Sequence, residues 1–192
     1  MRVLVVAEGR HERSGALAAF VARLKHPREL TLATDRVSRH DIHAFHGGGQ
    51  GFFKRALRWL LEAGKRDYDA LVLVIDEDGR PERSTQIEAA QEHDEISSLP
   101  RALGVAVRTF DAWMLADENA LTQVLGRPTD RQPDPETIRE PKTVCATLLA
   151  GSRHEMAQRA MYAALAKAAN LETVEERCPR GFRPFAQRVR AM

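Results

Sequence analysis

The chain opens on a run of β-branched and aliphatic residues, Val3 to Val6 in RVLVVAEG, that stops at an acid and a glycine. Directly after it, ERSGALAAFVARL places Leu17, Phe20, Val21 and Leu24 at the spacing of one helical face. The pattern predicts a strand, a tight turn and a helix. A weaker strand follows in ELTLATDRV, then a loop of histidines and glycines, RHDIHAFHGGGQG. The next segment, FFKRALRWLLEAG, aligns Phe53, Ala56, Leu57, Leu60 and Leu61 and predicts a helix that stops at Gly64. In DALVLVIDEDG, Leu71 to Ile75 form an unbroken apolar run, as in a central parallel strand buried on both faces. Beyond it, RSTQIEAAQEHDEISSL reads as helix, GVAVRTF as a fourth strand and DAWMLADENALTQVLG as a helix ending at Gly126.

This alternation predicts an α/β fold: a Rossmann-like, mainly parallel four-stranded sheet with right-handed crossovers and helices on its faces. Residues 1–126 make up that core. Residues 127–141 are proline-rich and polar and read as a loop or linker without core residues. Residues 142–192 read as a helical C-terminal extension packing on the core, and the chain carries no internal repeat.

Composition narrows the class. With 192 residues, 43% hydrophobic and 29% charged, the chain suits one soluble globule with a real core. No apolar run approaches the roughly 20 residues of a membrane span, and MRVLVVAEG reaches charge too soon for a secretory signal, so a cytoplasmic location away from membranes is expected. Cys145 and Cys178 are too far apart for a zinc knuckle and too few for a disulfide framework, and read as reduced thiols. A net charge of +2 neither demands nor excludes nucleic acid. The C-terminal stretch RCPRGFRPFAQRVRAM carries Arg177, Arg180, Arg183, Arg188 and Arg190 with no acid among them. Such a run can contact phosphates, although a solvated basic helix end is its commoner meaning.

The candidate chemistry lies at strand ends. In an open parallel sheet, ligands bind outside the carboxyl ends of the strands, and here Glu8 ends the first strand and Asp76 the third. Asp78 stands two residues past Asp76, so an extended chain would project both carboxylates to one side, with Gly79 allowing the turn. Clustered carboxylates repel unless a cation bridges them, and hard oxygen donors favour Mg²⁺ or Mn²⁺. Glu12 lies four residues after Glu8, where it could join the metal site or complement the positive end of the first helix.

Together, VVAEGRHE and LVIDEDG resemble the Toprim domain of topoisomerases, bacterial primases and overcoming-lysogenization-defect (OLD) nucleases. More narrowly, GGGQG before a helix, RTFDAWMLADENAL, the lysine of EPK and the late CPRGFRPF resemble DUF4276, a group of small bacterial Toprim-like proteins. The resemblance implies a strand-end glutamate, Glu8, acting as acid/base or metal ligand, and paired aspartates, Asp76 and Asp78, binding magnesium for phosphoryl transfer. Where OLD-type relatives often show Glu-Ala-Trp, this chain has Asp111, Ala112 and Trp113, a shorter acid at the place of a second metal ligand. Lys142 matches a position where such nucleases place a charge-stabilising lysine; by spacing alone it is a solvated lysine at a helix start after Pro141.

These expectations amount to a Mg²⁺- or Mn²⁺-dependent phosphodiester hydrolase acting on DNA or RNA, in an antiphage or mobile-element setting that rests on the resemblance alone. The chain has no Walker motif, so an ATPase partner would act in trans. The alternatives are a non-catalytic Toprim-like subunit that binds metal, nucleotide or nucleic acid, and a small-molecule phosphatase with a closed pocket. Apolar faces on the C-terminal helices could pair two chains or pack on the sheet. His40, His43 and His46 recur every three residues but lack a fourth zinc ligand. Gly47, Gly48, Gly49 and Gly51 could let amides approach a phosphate, without the lysine and hydroxyl of a P-loop. Trp59 reads as core or rim packing, and Trp113, beside Asp111, is slightly better placed to stack on a base.

Overall fold

Alternate residues of the same strands feed two different apolar layers. The computed structural model describes residues 1–10, 12–25, 30–38 and 51–192. Within them β1 (Arg2–Ala7), β2 (Thr31–Arg36), β3 (Ala70–Asp76) and β4 (Arg101–Ala106) form one all-parallel sheet in the order β2-β1-β3-β4. β1 and β3 occupy its middle, and for that reason they are apolar at nearly every position instead of alternating. The four-stranded parallel α/β architecture expected from the sequence is the one observed.

The helices are α1 (Leu17–Lys25), α2 (Gly51–Lys65), α3 (Glu82–Glu92), α4 (Asp111–Met114), α5 (Glu118–Leu125), α6 (Pro141–Ala150), α7 (Gln158–Ala168), α8 (Leu171–Arg177) and α9 (Phe182–Ala191). Val3, Val5, Val72, Val74, Ala102 and Ala106 join the layer shared with α1 and the helices from α4 onward. Leu4, Val6, Leu71, Leu73, Ile75, Leu103 and Val105 join the layer shared with α2 and α3. In the first layer, small β4 residues face large aromatics: a Cβ on Gly104 would come within 2.8 Å of the Phe185 ring. Phe20, Phe110, Trp113, Phe182 and Phe185 pack edge-on and stacked there, with the Trp113 and Phe185 centroids 5.4 Å apart. Each such ring, fully buried, stabilises the fold by roughly 1.5–3 kcal/mol. The C-terminal helices therefore supply more than a third of this layer, and α9 also ties down β4 through Arg188, which donates to the Leu103 carbonyl at 2.7 Å.

Several boundaries differ from the pattern reading. β4 begins at Arg101 and ends at Ala106, because Arg108 has φ 63 and turns the chain out of the sheet. α3 stops at Glu92, and the Arg101 guanidinium gathers the following turn by donating to the carbonyls of His93 and Ser97. The expected single helix from Asp111 to Gly126 is two, since Asp117 caps α5 by accepting from the amides of Asn119 and Ala120. The segment 127–141 is not free of core residues. Pro135 and Glu136 are buried, and the Glu136 carboxylate accepts from the amides of Arg180 at 3.0 Å and Gly181 at 2.7 Å. Periodicity could not reveal that bond, because its partners lie 44 and 45 residues apart.

Among the described residues, no helix is long and apolar enough to cross a membrane.

Candidate functional site

The register of the central strands brings the acids together. Ala7 of β1 pairs with Val74 of β3, so the chain leaves β1 at Glu8 beside the end of β3. There the Asp76 amide donates to Glu8 Oε2 at 3.2 Å. The Asp76 carboxylate itself accepts from the Phe110 amide at 2.8 Å, which joins the end of β3 to the loop after β4. Asp76 is partly buried, and its carboxyl is pushed well above the ordinary value, first by burial and then by the charges of Glu12, Asp78 and Glu8.

Glu12 enters from the turn after β1. A π-type turn, Glu12–Ala16, precedes α1 and takes a left-handed step at Gly15 (φ 115). It carries the Glu12 side chain inward, to 6% exposure, where Oε2 is buried without a hydrogen-bond partner. Burial raises its pKa, a hydrogen bond from its own backbone amide offsets part of the rise, Asp111 and Glu8 raise it further, and Arg13 lowers it slightly. A Cβ on Gly9 would stand 2.1 Å from Glu12 Oε2, so a side chain at position 9 would require the Glu12 carboxylate to move.

Asp111, at the start of α4, is 8% exposed. Its carboxylate accepts from the Thr109 hydroxyl at 2.9 Å and from the Tyr162 hydroxyl of α7. Burial raises the Tyr162 pKa, so that hydroxyl stays a donor. Asp111 is therefore a carboxylate held in place by two hydroxyl donors, and its charge acts on Glu12.

Asp78 does not follow the expectation of an extended turn. It has φ 51, with Gly79 at φ 67 behind it, so the turn is left-handed rather than extended, and its side chain is 46% exposed. It pairs with Arg83 of α3 at 2.7 Å. The same Nη1 donates to the Asp76 carbonyl at 2.7 Å and lies 3.8 Å from Glu8 Oε2, while the guanidinium rests 4.7 Å above the Phe52 ring. Arg83 is the cation that the pattern reading missed. It is a near neighbour in sequence, five residues past Asp78 in the first turn of α3, and the left-handed turn at Asp78 and Gly79 folds it back onto the strand end.

Beside the acids lies a cleft of about 280 Å³, lined by Asp78, Gly79, Arg108, Thr109, Arg139 and Glu140. Its wall is held by the Asp78 amide donating to the Arg108 carbonyl at 2.9 Å.

The family described as "Domain of unknown function (DUF4276)" matches residues 9–190. The chain belongs to the DUF4276 family. That match takes in Glu12, Asp76, Asp78, Asp111 and Lys142, with Glu8 just before its start. No curated protein and no solved structure matches the chain.

Within this DUF4276 chain the remaining candidates separate clearly. Lys142 is exposed at the start of α6, outside the residues that line the cleft, and has no ion pair to the acids among the described residues. Trp113 is 1% exposed inside the aromatic cluster and cannot stack on a base, and Trp59 is buried with its indole donating to the Val37 carbonyl. The C-terminal arginines are largely engaged within the fold. Arg177 pairs with Glu118, Arg180 with Glu136, Arg188 with Glu88 and Arg190 with Glu175. Cys145 and Cys178 are buried free thiols, and burial pushes Cys145 up to about 12. His40, His43, His46 and Gly47 to Gly49 lie outside the described residues. At Gly51 the first amide of α2 to be described, that of Phe52, is already taken by Gln86 at 2.8 Å. Among the described residues, no three acids, histidines or cysteines form a ready-made metal-binding group.

Proposed function

We propose that this chain is a divalent-cation-dependent phosphodiester hydrolase of Toprim type, acting on DNA or RNA with Mg²⁺ or Mn²⁺. The observation that carries the reading is the excess of carboxylate at the ends of β1 and β3. Glu8, Glu12, Asp76 and Asp111 converge there, with Glu12 Oε2 buried and unpartnered and the Asp76 carboxyl raised by burial and by its neighbours. A buried acid without a donor costs stability, and the arrangement has a physical reason if the missing partner is a cation.

The donor set suits a hard cation, being all oxygen. Glu8, Asp76 and Asp78 would hold it, with Glu12 and Asp111 as further ligands. When bound, such a cation polarises a phosphoryl oxygen and lowers the pKa of water. The chain's own contribution is separate. Arg83 offsets charge between Asp78 and Glu8, the Phe110 amide fixes the orientation of Asp76, and Tyr162 with Thr109 fixes Asp111. The Toprim and OLD likeness of VVAEG and VIDEDG supports phosphoryl chemistry over other metal chemistry. An ATPase partner in trans and an antiphage or mobile-element setting belong to the same proposal.

A second reading, a binding subunit without catalysis, is favoured by one feature: Asp78, half of the aspartate pair, is already neutralised by Arg83 at 2.7 Å.

Calorimetric titration of Mg²⁺ and Mn²⁺ into the wild type and an Asp76→Ala, Asp78→Ala double variant separates the two readings, followed by incubation with single- and double-stranded DNA and RNA. Binding and cleavage that are both lost in the variant support the hydrolase. Binding without cleavage supports the subunit, and absence of cation binding removes the hydrolase reading.

A further inference from the structure

We infer that the cleft beside the carboxylates is a clamp for the sugar-phosphate backbone of a nucleic acid, with Arg108 and Arg139 as its two phosphate-holding residues. The inference deepens the hydrolase reading and rests on it for the position of the scissile bond.

Three observations support it. The first is pairing. Most of the arginines that looked available in the sequence are used inside the fold, whereas Arg108 and Arg139 have no acidic partner among the described residues and both line the cleft. The second is the backbone at Arg108, which sits at φ 63, a conformation that costs energy for a side chain of its size. It is held there by two bonds to the aspartate turn: the Asp78 amide to the Arg108 carbonyl at 2.9 Å, and the Arg108 amide to Glu77 Oε2 at 3.5 Å. The backbone that bears the guanidinium is thereby tied to the same turn that carries Asp76 and Asp78. The third is the lining itself. It contains no aromatic or aliphatic side chain, so it offers a base neither a stacking platform nor an apolar pocket.

Charged forks with nothing to read a base select phosphates irrespective of sequence. The two acids in the lining do not oppose this equally. Asp78 is paired with Arg83, while the Glu140 side chain makes no capping bond to α6 and stands exposed at the rim. Glu140 should therefore weaken backbone binding, and its neutralisation should strengthen it.

The test is fluorescence anisotropy of labelled single- and double-stranded oligonucleotides over a salt series, with Ca²⁺ in place of Mg²⁺. The full-length wild type is compared with Arg108→Asn, Arg139→Gln, their double variant, Arg139→Lys and Glu140→Gln. Asparagine tolerates the left-handed backbone at 108, and 139 is exposed, so both variants keep the fold. Each single loss is expected to raise Kd about tenfold. Each should also reduce the log–log salt slope by about 1, equally for unrelated sequences. Arg139→Lys should keep the slope, Glu140→Gln should lower Kd, and a nucleoside monophosphate should compete poorly. An unchanged Kd and slope in the double variant, or no oligonucleotide binding by the wild type, overturns the clamp. Mn²⁺-dependent cleavage at equal kcat/KM in wild type and double variant also overturns the clamp and leaves the hydrolase standing. Arginine-dependent binding with no cleavage by the wild type does the reverse.

Discussion

Among the described residues two glutamates are buried, and their charged surroundings are opposite. Glu136 is 2% exposed and Glu12 is 6% exposed, and burial raises the pKa of both. Around Glu136 the fold supplies compensation: the amides of Arg180 and Gly181 and the Arg180 guanidinium, each pulling the pKa back down. Around Glu12 a backbone amide hydrogen bond and Arg13 pull the pKa down, but the charges of Asp111 and Glu8 push it up again, and Oε2 has no donor among the described residues. Burial of a carboxylate is therefore not in itself a sign of function. One of these acids joins the segment 127–141 to the turn before α9; the other belongs to a cluster that the protein alone does not neutralise.

The comparison can be tested by experiments on each side of it. The largest effect is expected at the cluster: Asp76→Asn keeps the acceptor for the Phe110 amide but removes a charged oxygen, and should reduce Mn²⁺-dependent phosphodiester hydrolysis by about a hundredfold or more. An initial-rate assay on a labelled oligonucleotide measures this, and retention of most activity would remove Asp76 from the site. Next comes Glu136→Ala, which leaves two amides buried without an acceptor. It should cost about 2–4 kcal/mol in urea unfolding, with the difference between variant and wild type unaffected by Mg²⁺. A change below about 0.5 kcal/mol would contradict a structural Glu136.

A smaller effect, opposite in sign, is expected for Glu12→Gln: in EDTA at neutral pH it should raise the melting temperature by a few degrees, because it removes one of several mutually repelling charges. A lower melting temperature would mean that Glu12 has a favourable partner when charged.

The pH dependence follows from the same asymmetry. The carboxyls of Asp76 and Glu12 bind protons more tightly in the folded chain than in the unfolded one. In the metal-free protein the folded state therefore holds extra protons in the window from their ordinary values, 3.8 and 4.5, up to their raised values, and stability falls as pH rises through that window. Asp76→Asn should flatten this part of the profile, which melting curves in EDTA across pH would reveal. Saturating Mg²⁺ should flatten it too, with release of protons on binding. The smallest expected change is in Arg83→Gln, which removes a cation 2.7 Å from Asp78 and should tighten Mg²⁺ binding only several-fold, since the Asp78 end of the pair is 46% exposed to screening solvent. Weaker binding in a titration would instead make Arg83 a support for the site.

Much of the fold was legible in the sequence because it follows from local pattern. The unbroken apolar run from Leu71 to Ile75 could only be a strand covered on both faces, and β3 is one. The segment after Phe53 repeats at helical spacing, and α2 is a helix. The family was legible too, because its short motifs are local strings. Less legible were the boundaries set by single residues: the left-handed step at Arg108 that ends β4, and the Asp117 cap that splits α4 from α5.

The chain pattern alone placed acids at the ends of β1 and β3, since a residue that ends a parallel strand emerges at the same edge as its neighbour's end. Tertiary structure decided what those acids meet. Tyr162 reaches Asp111 across 51 residues, the Glu136 carboxylate meets amides from the turn before α9, and even Arg83, only five residues past Asp78, meets it through the left-handed turn between them. Strand ends and helical faces are properties of neighbours in sequence. The partner of a charge is a property of neighbours in space, and hydrophobic periodicity, which says which face turns inward, carries no information about which polar group will be waiting there.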